Sequence, residues 1–265
     1  MSNKMDRRSF LGKSAKIGVG LIGGSVLLSA CASGDKSGKM TPLRQPGEYY
    51  VPELPDKAID GKELKVGVIG CGGRGSGAVE DLLNAADGIK VTALGDVFAD
   101  RLTGLRENLK TKWNQEVPED HCFTGFDAYK QVIDSGVDMV IVATPPVFRP
   151  AHFQHATEKG VHSFLEKPIA VDAKGYRQIM ATAKQAEAKG LSVVTGTQRH
   201  HQRPYVESFK KIQEGMIGEI TGGNVYWNQG MLWYKERQQG WSDMEWMIRD
   251  WVNWKWLSGD HIVEQ

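Results

Sequence analysis

The chain has 265 residues, of which 40% are hydrophobic, enough to bury the core of one large domain or two modest ones. Its 33 basic and 32 acidic residues leave a formal net charge of +1, so the charge balance does not indicate a nucleic-acid partner. The three cysteines, Cys31, Cys71 and Cys122, lack the spacing of a metal site or of a disulfide framework, and we expect neither.

Residues 1–31 have the layout of an export signal. A basic segment precedes the weakly apolar run Ile17–Ala30, which is too short to span a bilayer comfortably. Arg7-Arg8-Ser9-Phe10-Leu11 resembles a bacterial twin-arginine signal, and Leu28-Ser29-Ala30-Cys31 resembles a lipobox, which implies lipidation of Cys31. An uncleaved membrane anchor is the alternative. Both interpretations predict an exported protein, and the first predicts a periplasmic one held to the membrane by lipid.

Residues 32–61 are rich in Gly, Ser, Pro and Lys and show little periodicity, which predicts a flexible tether. The folded part of the chain is therefore expected to begin at about residue 62.

The stretch 65–77 predicts a dinucleotide-binding turn. The apolar run Val66–Ile69 is typical of a buried parallel strand, and an amphipathic helix is predicted over Ala78–Ala86. Between them Gly70, Gly72 and Gly75 follow the spacing G-x-G-x-x-G. The first glycine permits the tight turn, the second lets a pyrophosphate approach the backbone, and the third lets helix and strand pack closely. The helix N-terminus offers free N–H groups and a partial positive charge to the phosphates.

A second apolar strand, Val91–Leu94, leads to Asp96. A carboxylate at this distance from the glycine loop can accept hydrogen bonds from the adenosine ribose and repels a 2′-phosphate. The sequence therefore predicts NAD as the cofactor and disfavours NADP.

Strands and helices alternate through the rest of this region. Strands are predicted at residues 121–124, 138–143, 162–165 and 191–195, and helices at 99–113, 128–135 (with Asp127 as its cap), 151–159 and 172–189. This alternation predicts an α/β fold, a Rossmann-type doubly wound parallel sheet over residues 62–200. Ligands bind such sheets at the carboxyl ends of the strands, where Gly70, Asp96, Thr144, Glu166 and Gly196 fall.

Two further motifs carry a resemblance to a known family. They are V-D-M-V-I-V-A-T-P-P at 137–146 and H-A-T-E-K-G-V-H-S-F-L-E-K-P at 155–168. Together with the glycine loop they resemble the Gfo/Idh/MocA oxidoreductases, and the resemblance runs from about Lys62 to the last residue. In that family the lysine of the Glu-Lys-Pro motif, here Lys167, lies beside the nicotinamide, binds substrate and transfers protons. Loss of a hydride from an alcohol leaves a hydroxyl proton that such a group can accept.

The glycine loop and the resemblance together predict the site residues. Lys167 is the predicted catalytic group, and no metal ligands are predicted. The predicted cofactor-binding residues are Gly70, Gly72, Gly73, Arg74, Gly75, Asp96, Thr144, Pro145, Glu166 and Lys167. The predicted substrate-contacting residues are Arg149, Arg199, His200, Asp260 and His261.

The sequence departs from the family pattern at two places. Arg149 stands where many members have a histidine. Glu264 matches the acidic position of a second acid/base motif, whose histidine would follow four residues later, beyond Gln265. Residues 201–265 are therefore expected to be an incomplete substrate and dimerisation domain that opens with a strand over Glu219–Trp227. Its sheet is the expected surface for a homo-oligomer.

Seven of the eight tryptophans lie between Trp227 and Trp256. Indole rings suit the apolar faces of sugars, although most tryptophans serve a core. The expected function is oxidation of a sugar, polyol or glycoside with NAD. The alternatives are an NAD-dependent glycoside hydrolase that works through transient oxidation, and a lipid-anchored sugar-binding protein without turnover. Because the second domain looks incomplete, the chain is expected to bind NAD better than it turns over substrate.

Overall fold

A computed structural model of the chain describes residues 63–265, so the predicted export signal, Cys31 and the tether at 32–61 lie outside it. Six parallel strands form one sheet in the order β3-β2-β1-β4-β5-β6. They are β1 (Leu64–Ile69), β2 (Ile89–Asp96), β3 (Cys122–Thr124), β4 (Met139–Val142), β5 (His162–Leu165) and β6 (Val193–Thr195). The strand order reverses between β1 and β4, which opens a crevice at their carboxyl ends. The predicted Rossmann-type sheet is confirmed.

Nine α-helices lie within residues 63–265. The first five connect the strands: α1 (Gly73–Ala85), α2 (Ala99–Trp113), α3 (Ala128–Asp134), α4 (Arg149–Lys159) and α5 (Ala173–Ala188). The other four follow the sheet: α6 (Arg203–Gln213), α7 (Asp243–Arg249), α8 (Lys255–Ser258) and α9 (Asp260–Glu264).

Helices cover both faces of the sheet because its strands alternate apolar side chains between two cores. Val66 and Val68 pack with α1 and α2 on one face. Ile69, Val140 and Val142 pack with α3, α4 and α5 on the other. Burial of both faces explains why the strands read as continuous apolar runs.

The predicted elements of this domain are found with shifts of one or two residues at their ends, except that α1 begins at Gly73, five residues before its predicted start at Ala78. Asp172 precedes α5 and accepts a hydrogen bond from the amide of Gly175 at 2.7 Å, a side-chain cap of the usual kind. The predicted cap at Asp127 is wrong: its carboxylate accepts no amide of α3 and instead pairs with Lys130 Nζ at 2.7 Å. The first turn of α3 is instead closed by a backbone hydrogen bond from Lys130 N to the carbonyl of Asp127, three residues earlier.

The strand predicted over Glu219–Trp227 is wrong. In the described chain this segment has no regular structure, and Val225 and Tyr226 are exposed. A strand requires a neighbour for its backbone groups, and nothing within residues 63–265 pairs with this segment. We expected a homo-oligomer that forms through a sheet in this region. Residues 201–265 contain no such sheet in the structure.

Helices α7 and α8 instead pack on the strand-end loops of the Rossmann sheet. Ile248 and Leu257 are buried against Phe98, with Val147 and Phe148 at the edge of the cluster. An ion pair holds the same contact, because Arg249 donates to both oxygens of the Asp100 carboxylate at 2.8 and 3.0 Å. Its guanidinium also lies 3.8 Å above the Phe98 ring. The C-terminal helices therefore form one side of the crevice.

Among the helices of residues 63–265, none combines the length and the apolar character needed to cross a bilayer.

Candidate cofactor cleft

A cleft of about 1390 Å³ lies at the carboxyl ends of the strands. The glycine loop, the loops after β2, β4, β5 and β6, and the C-terminal helices all line it. All ten predicted cofactor residues line this one cleft, and so do Arg149, Arg199 and His200. Residues widely separated in the sequence thus converge where the strand order predicted a ligand site.

The glycine loop forms a cradle that side chains would fill. Gly70 has φ +93°, a left-handed conformation that favours glycine. A Cβ on Gly75 would lie 1.9 Å from the carbonyl oxygen of Gly70, whereas a Cβ on Gly73 would meet nothing within 4 Å. The third glycine of the motif therefore allows α1 to approach β1, and the backbone around Gly73 stays open to the cleft.

The N-terminus of α1 points free amides into this cradle. The first bond within the helix runs from Ser76 N to Gly72 O at 2.9 Å, so the amides of Gly73, Arg74 and Gly75 have no partner within the helix. Such amides, with the helix dipole behind them, suit a phosphate group. The cradle therefore fits the pyrophosphate of a dinucleotide.

Asp96 is held rigidly beside the glycine loop. Its Oδ2 accepts a hydrogen bond from Cys71 N at 2.7 Å, and its Oδ1 accepts one from Phe98 N at 2.9 Å. Burial raises the pKa of this carboxyl although both hydrogen bonds oppose the shift. The carboxylate thus ties the end of β2 to the loop. Each oxygen keeps a second lone-pair direction, so the predicted contact with a ribose stays a prediction.

An ion pair joins the glycine loop to the Glu-Lys-Pro motif. Arg74 Nε and Nη2 lie 2.7 and 2.5 Å from Glu166 Oε1. Glu166 is buried, and its carboxylate fills the space next to Gly196, where a Cβ would lie 2.7 Å from the carboxyl atoms. The strand-end glycine of β6 therefore makes room for Glu166, which in turn fixes Arg74 across the cleft.

Lys167 follows β5, and its amine meets the last helix. Lys167 Nζ donates to the Glu264 backbone oxygen at 2.7 Å and to Glu264 Oε1 at 3.0 Å. The Lys167 side chain remains 41% exposed, so the amine is still accessible from the cleft. Sequence reasoning noted Glu264 as a motif position but did not predict this contact, because 97 residues separate the two.

Arg149 lies at the start of α4 and lines the cleft, but its guanidinium contacts the backbone. The residue is only 3% exposed, and its guanidinium donates to the backbone oxygens of Thr144, at 2.6 Å, and of Pro168. Burial lowers the pKa of Arg149 to about 10, which leaves it charged at neutral pH. The predicted contact with substrate is therefore not supported, because two backbone carbonyls already occupy the guanidinium.

Asp260 and His261 do not line the cleft. The Asp260 carboxylate pairs with Lys255 at 2.9 Å and accepts a hydrogen bond from the His261 amide at 2.8 Å. Both side chains are exposed, because α9 turns them away from the sheet and presents Val263 and Glu264 to the cleft. The structure gives no support to their prediction as substrate contacts.

An aromatic wall completes the cleft, and the sequence alone did not define it. Trp227, Trp233 and Trp251 line it, whereas Trp246 and Trp254 pack on each other with ring centroids 5.2 Å apart. Arg199 lies 4.9 Å above the Trp227 ring. Flat, partly exposed rings beside a cationic group can contact the apolar face of a sugar while polar groups meet its hydroxyls.

His152 also lines the cleft and was not predicted. Its ring stacks on Tyr129 at 4.2 Å, and its Nδ1 lies 3.3 Å from Thr144 Oγ1. Burial and the neighbouring Arg149 charge lower the pKa of His152 to about 3, so the imidazole is neutral. Its spacing three residues after Arg149, on a predicted helix, was the only signal in the sequence.

Within residues 63–265, no group of three or more His, Cys, Asp or Glu side chains is arranged to hold a metal ion. A parallel doubly wound sheet, a glycine cradle at its switch point and an acid after β2 define a dinucleotide-binding domain. Residues 64–195 match the model of the GFO_IDH_MocA family, described as an oxidoreductase family with an NAD-binding Rossmann fold. The chain belongs to this family, as its motifs predicted, and carries its NAD-binding domain.

Several curated proteins resemble this chain in sequence. A "Glycosyl hydrolase family 109 protein" of Streptomyces coelicolor is 28% identical over 223 residues, which cover 83% of this chain and 44% of that protein. An "Alpha-N-acetylgalactosaminidase" of Shewanella oneidensis is 24% identical over 87% of this chain and 48% of that protein. The chain spans about half the length of the curated relatives it matches.

Solved structures show the same fold. The myo-inositol 2-dehydrogenase of Lactobacillus plantarum is 25% identical, with a TM-score of 0.50 over 60% of this chain and 43% of that one. The scyllo-inositol dehydrogenase of Lactobacillus casei, solved with bound NAD(H) and scyllo-inositol, gives the same identity and TM-score over 60% and 44% of the two chains.

Proposed function

We propose that this protein transfers a hydride between NAD and a ring carbon of a sugar, polyol or glycoside. The observation that carries the proposal is that the glycine cradle and Lys167 line one cleft, at opposite sides of the strand-order reversal. A dinucleotide held by its pyrophosphate at the cradle can extend toward Lys167. When bound, NAD supplies the hydride acceptor.

The chain's own residues have separable tasks in this proposal. The amides at the start of α1 hold the pyrophosphate, and Asp96 meets the adenosine ribose. Thr144 and Glu166 line the nicotinamide end. Lys167 Nζ relays the hydroxyl proton that the substrate loses with its hydride: it passes a proton to the Glu264 carboxylate and takes the substrate's proton in its place. The contacts of Lys167 Nζ with Glu264 orient the amine and provide a carboxylate to which the proton can pass.

Hydrolysis is the second candidate, and the relatives favour it. Both the Streptomyces and the Shewanella proteins are described as glycoside-cleaving enzymes. A ketone on a sugar ring acidifies the neighbouring C–H bond. Removal of that proton allows the adjacent glycosidic oxygen to leave, and addition of water followed by return of the hydride gives net hydrolysis. Oxidation and hydrolysis thus share the first step and the same use of Lys167.

One assay separates the candidates. The full chain with NAD is given a chromogenic α-N-acetylgalactosaminide and, separately, inositols. Release of the chromophore without accumulation of NADH supports hydrolysis, whereas NADH in proportion to substrate consumed supports net oxidation. Lys167→Met should lower either activity by about 10²–10⁴. Lys174→Met, which alters an exposed lysine at the start of α5, is the matched control. Equal activity in both variants would refute the role of Lys167.

A third candidate is a sugar-binding protein without turnover. NAD binding combined with no product and no NADH from any sugar tested would favour it. The presence of Lys167 in contact with a carboxylate at the cleft supports an enzyme instead.

We further propose export and lipid anchoring, on the twin-arginine and lipobox motifs at residues 7–11 and 28–31. Cofactor loading before export by a route that carries folded proteins is consistent with a dinucleotide-binding domain. Cys31→Ala should then move the protein from the detergent phase to the aqueous phase, since several acyl chains anchor firmly. Unchanged partitioning would overturn the lipobox interpretation.

A further inference from the structure

Arg149 is a buried cation that forms no ion pair with a carboxylate within residues 63–265, although the charges of Glu166 and Glu264 favour its charged form. It opens α4, and its guanidinium donates to two backbone carbonyls, those of Thr144 and Pro168. Its Nε has no hydrogen-bond partner among the described residues. Burial of a charge is costly, so a buried arginine used only to bond carbonyls requires an account.

The two carbonyls belong to two loops on the Lys167 side of the cleft, where the proposed function puts the nicotinamide. Thr144 follows β4, and Pro168 follows the proposed proton-transfer residue Lys167 after β5. These strands are neighbours, but the segments beyond them no longer pair with each other. The planar fork of one guanidinium can satisfy two acceptors at fixed separation, which a lysine amine cannot do with the same geometry. Arg149 therefore joins the loops behind the cleft.

His152 reinforces the contact from the next turn of α4. Its Nδ1 lies 3.3 Å from the Thr144 hydroxyl, and its ring is fixed by stacking on Tyr129. Thr144 is thus held through its carbonyl by Arg149 and through its hydroxyl by His152. Both supporting residues are buried, so neither moves to solvent without disturbing the core of the domain.

We propose that Arg149 is a positioning residue for the nicotinamide end of the cofactor. It holds Thr144 and Lys167 at a fixed separation, so that the nicotinamide ring and the substrate meet Lys167 in one geometry. The inference rests on the proposed function in one respect, that the nicotinamide lies on the Lys167 side of the cleft. If Arg149 served folding alone, its replacement would weaken the binding of every part of the dinucleotide equally.

The test compares NAD with ADP-ribose, which has the same adenine, riboses and pyrophosphate but no nicotinamide. Both are titrated calorimetrically into the full chain and into Arg149→Met and Arg149→Lys. Arg149→Met should weaken NAD binding by about tenfold or more, the loss expected for a hydrogen-bonded charge, and leave ADP-ribose within about twofold. Arg149→Lys should lie between, because a lysine keeps the charge but not the fork.

Arg106→Met is the matched control. Arg106 Nε also donates to a backbone carbonyl, that of Val117 at 2.9 Å, but Arg106 does not line the cleft. Arg106→Met should leave the affinities for NAD and for ADP-ribose unchanged. Equal weakening of NAD and ADP-ribose in the Arg149 variants, or no weakening of either, would overturn the proposal. If Arg149→Met does not fold, Arg149→Lys decides by the same ratio.

Turnover plays no part in this ratio. Absence of sugar oxidation or hydrolysis would therefore count against the proposed function and leave the role of Arg149 to be decided by the two dissociation constants.

Discussion

Replacement of Gly75 by alanine tests the cradle most sharply. The added Cβ would lie 1.9 Å from the Gly70 carbonyl oxygen, where ordinary contact begins at 3.4 Å. The loop and α1 must therefore separate by about 1.5 Å, and both atoms belong to structure that yields only by moving backbone. Overpacking of this kind costs typically about 1–3 kcal/mol. Gly75→Ala should therefore destabilise the folded chain by this amount. If the displaced loop costs NAD binding the same free energy, the affinity for NAD falls by about 5- to 150-fold.

Gly77, two residues further along α1, is the matched control. A Cβ there meets nothing within 4 Å, and Gly77 does not line the cleft. Gly77→Ala should stabilise the helix by about 0.5–1 kcal/mol and leave NAD binding unchanged. Chemical denaturation measures the free energy of unfolding, and calorimetry measures the affinity. If Gly75→Ala matched Gly77→Ala in both, the close approach of helix and loop would not be what shapes the cradle.

Two further predictions concern ionisable groups at the cleft. The pKa of His152 is about 3 in the folded chain against 6.5 for an ordinary histidine. Between these values only the unfolded chain binds the proton, so the free energy of unfolding decreases as the pH is lowered below 6.5. Between about pH 7.5 and pH 5 this loss amounts to about 2 kcal/mol, and denaturation of His152→Phe should show a correspondingly smaller decrease; an identical decrease would contradict a buried neutral imidazole. Asp96→Asn removes the charge but keeps an acceptor, and calorimetry should show NADP affinity rising relative to NAD. An unchanged ratio would mean that the carboxylate does not face the 2′ position.

The fold was predictable because its signals are local. Short apolar runs and the stretches between them marked the strands and helices to within one or two residues at most ends, the start of α1 being the exception. The Glu219–Trp227 segment contains β-forming residues on both sides of Gly222 and Gly223, yet it forms no strand. Pairing depends on a partner elsewhere in the chain, which a local pattern does not contain.

The sequence predicted which residues line the cleft better than it predicted what their side chains contact. Strand ends in a parallel sheet meet at one edge, so Gly70, Asp96, Thr144, Glu166 and Gly196 were expected to converge. The commitment of Arg149 to two carbonyls was not foreseen, because burial and hydrogen-bond partners depend on packing between distant segments. The same holds for Glu264, which reaches Lys167 only because α7 and α8 pack on the strand-end loops.

The central claim is that substrate chemistry begins with hydride transfer to NAD, with Lys167 as the proton acceptor. Stopped-flow mixing of the NAD-loaded full chain with the glycoside or polyol that it consumes tests this directly, by the absorbance of the reduced nicotinamide. The wild type should produce that signal, transient for hydrolysis and lasting for net oxidation. Lys167→Met should still bind NAD through the glycine cradle and form the signal about 10²–10⁴ times more slowly. Substrate turnover without any reduced nicotinamide, or an equal rate in Lys167→Met, would contradict the account.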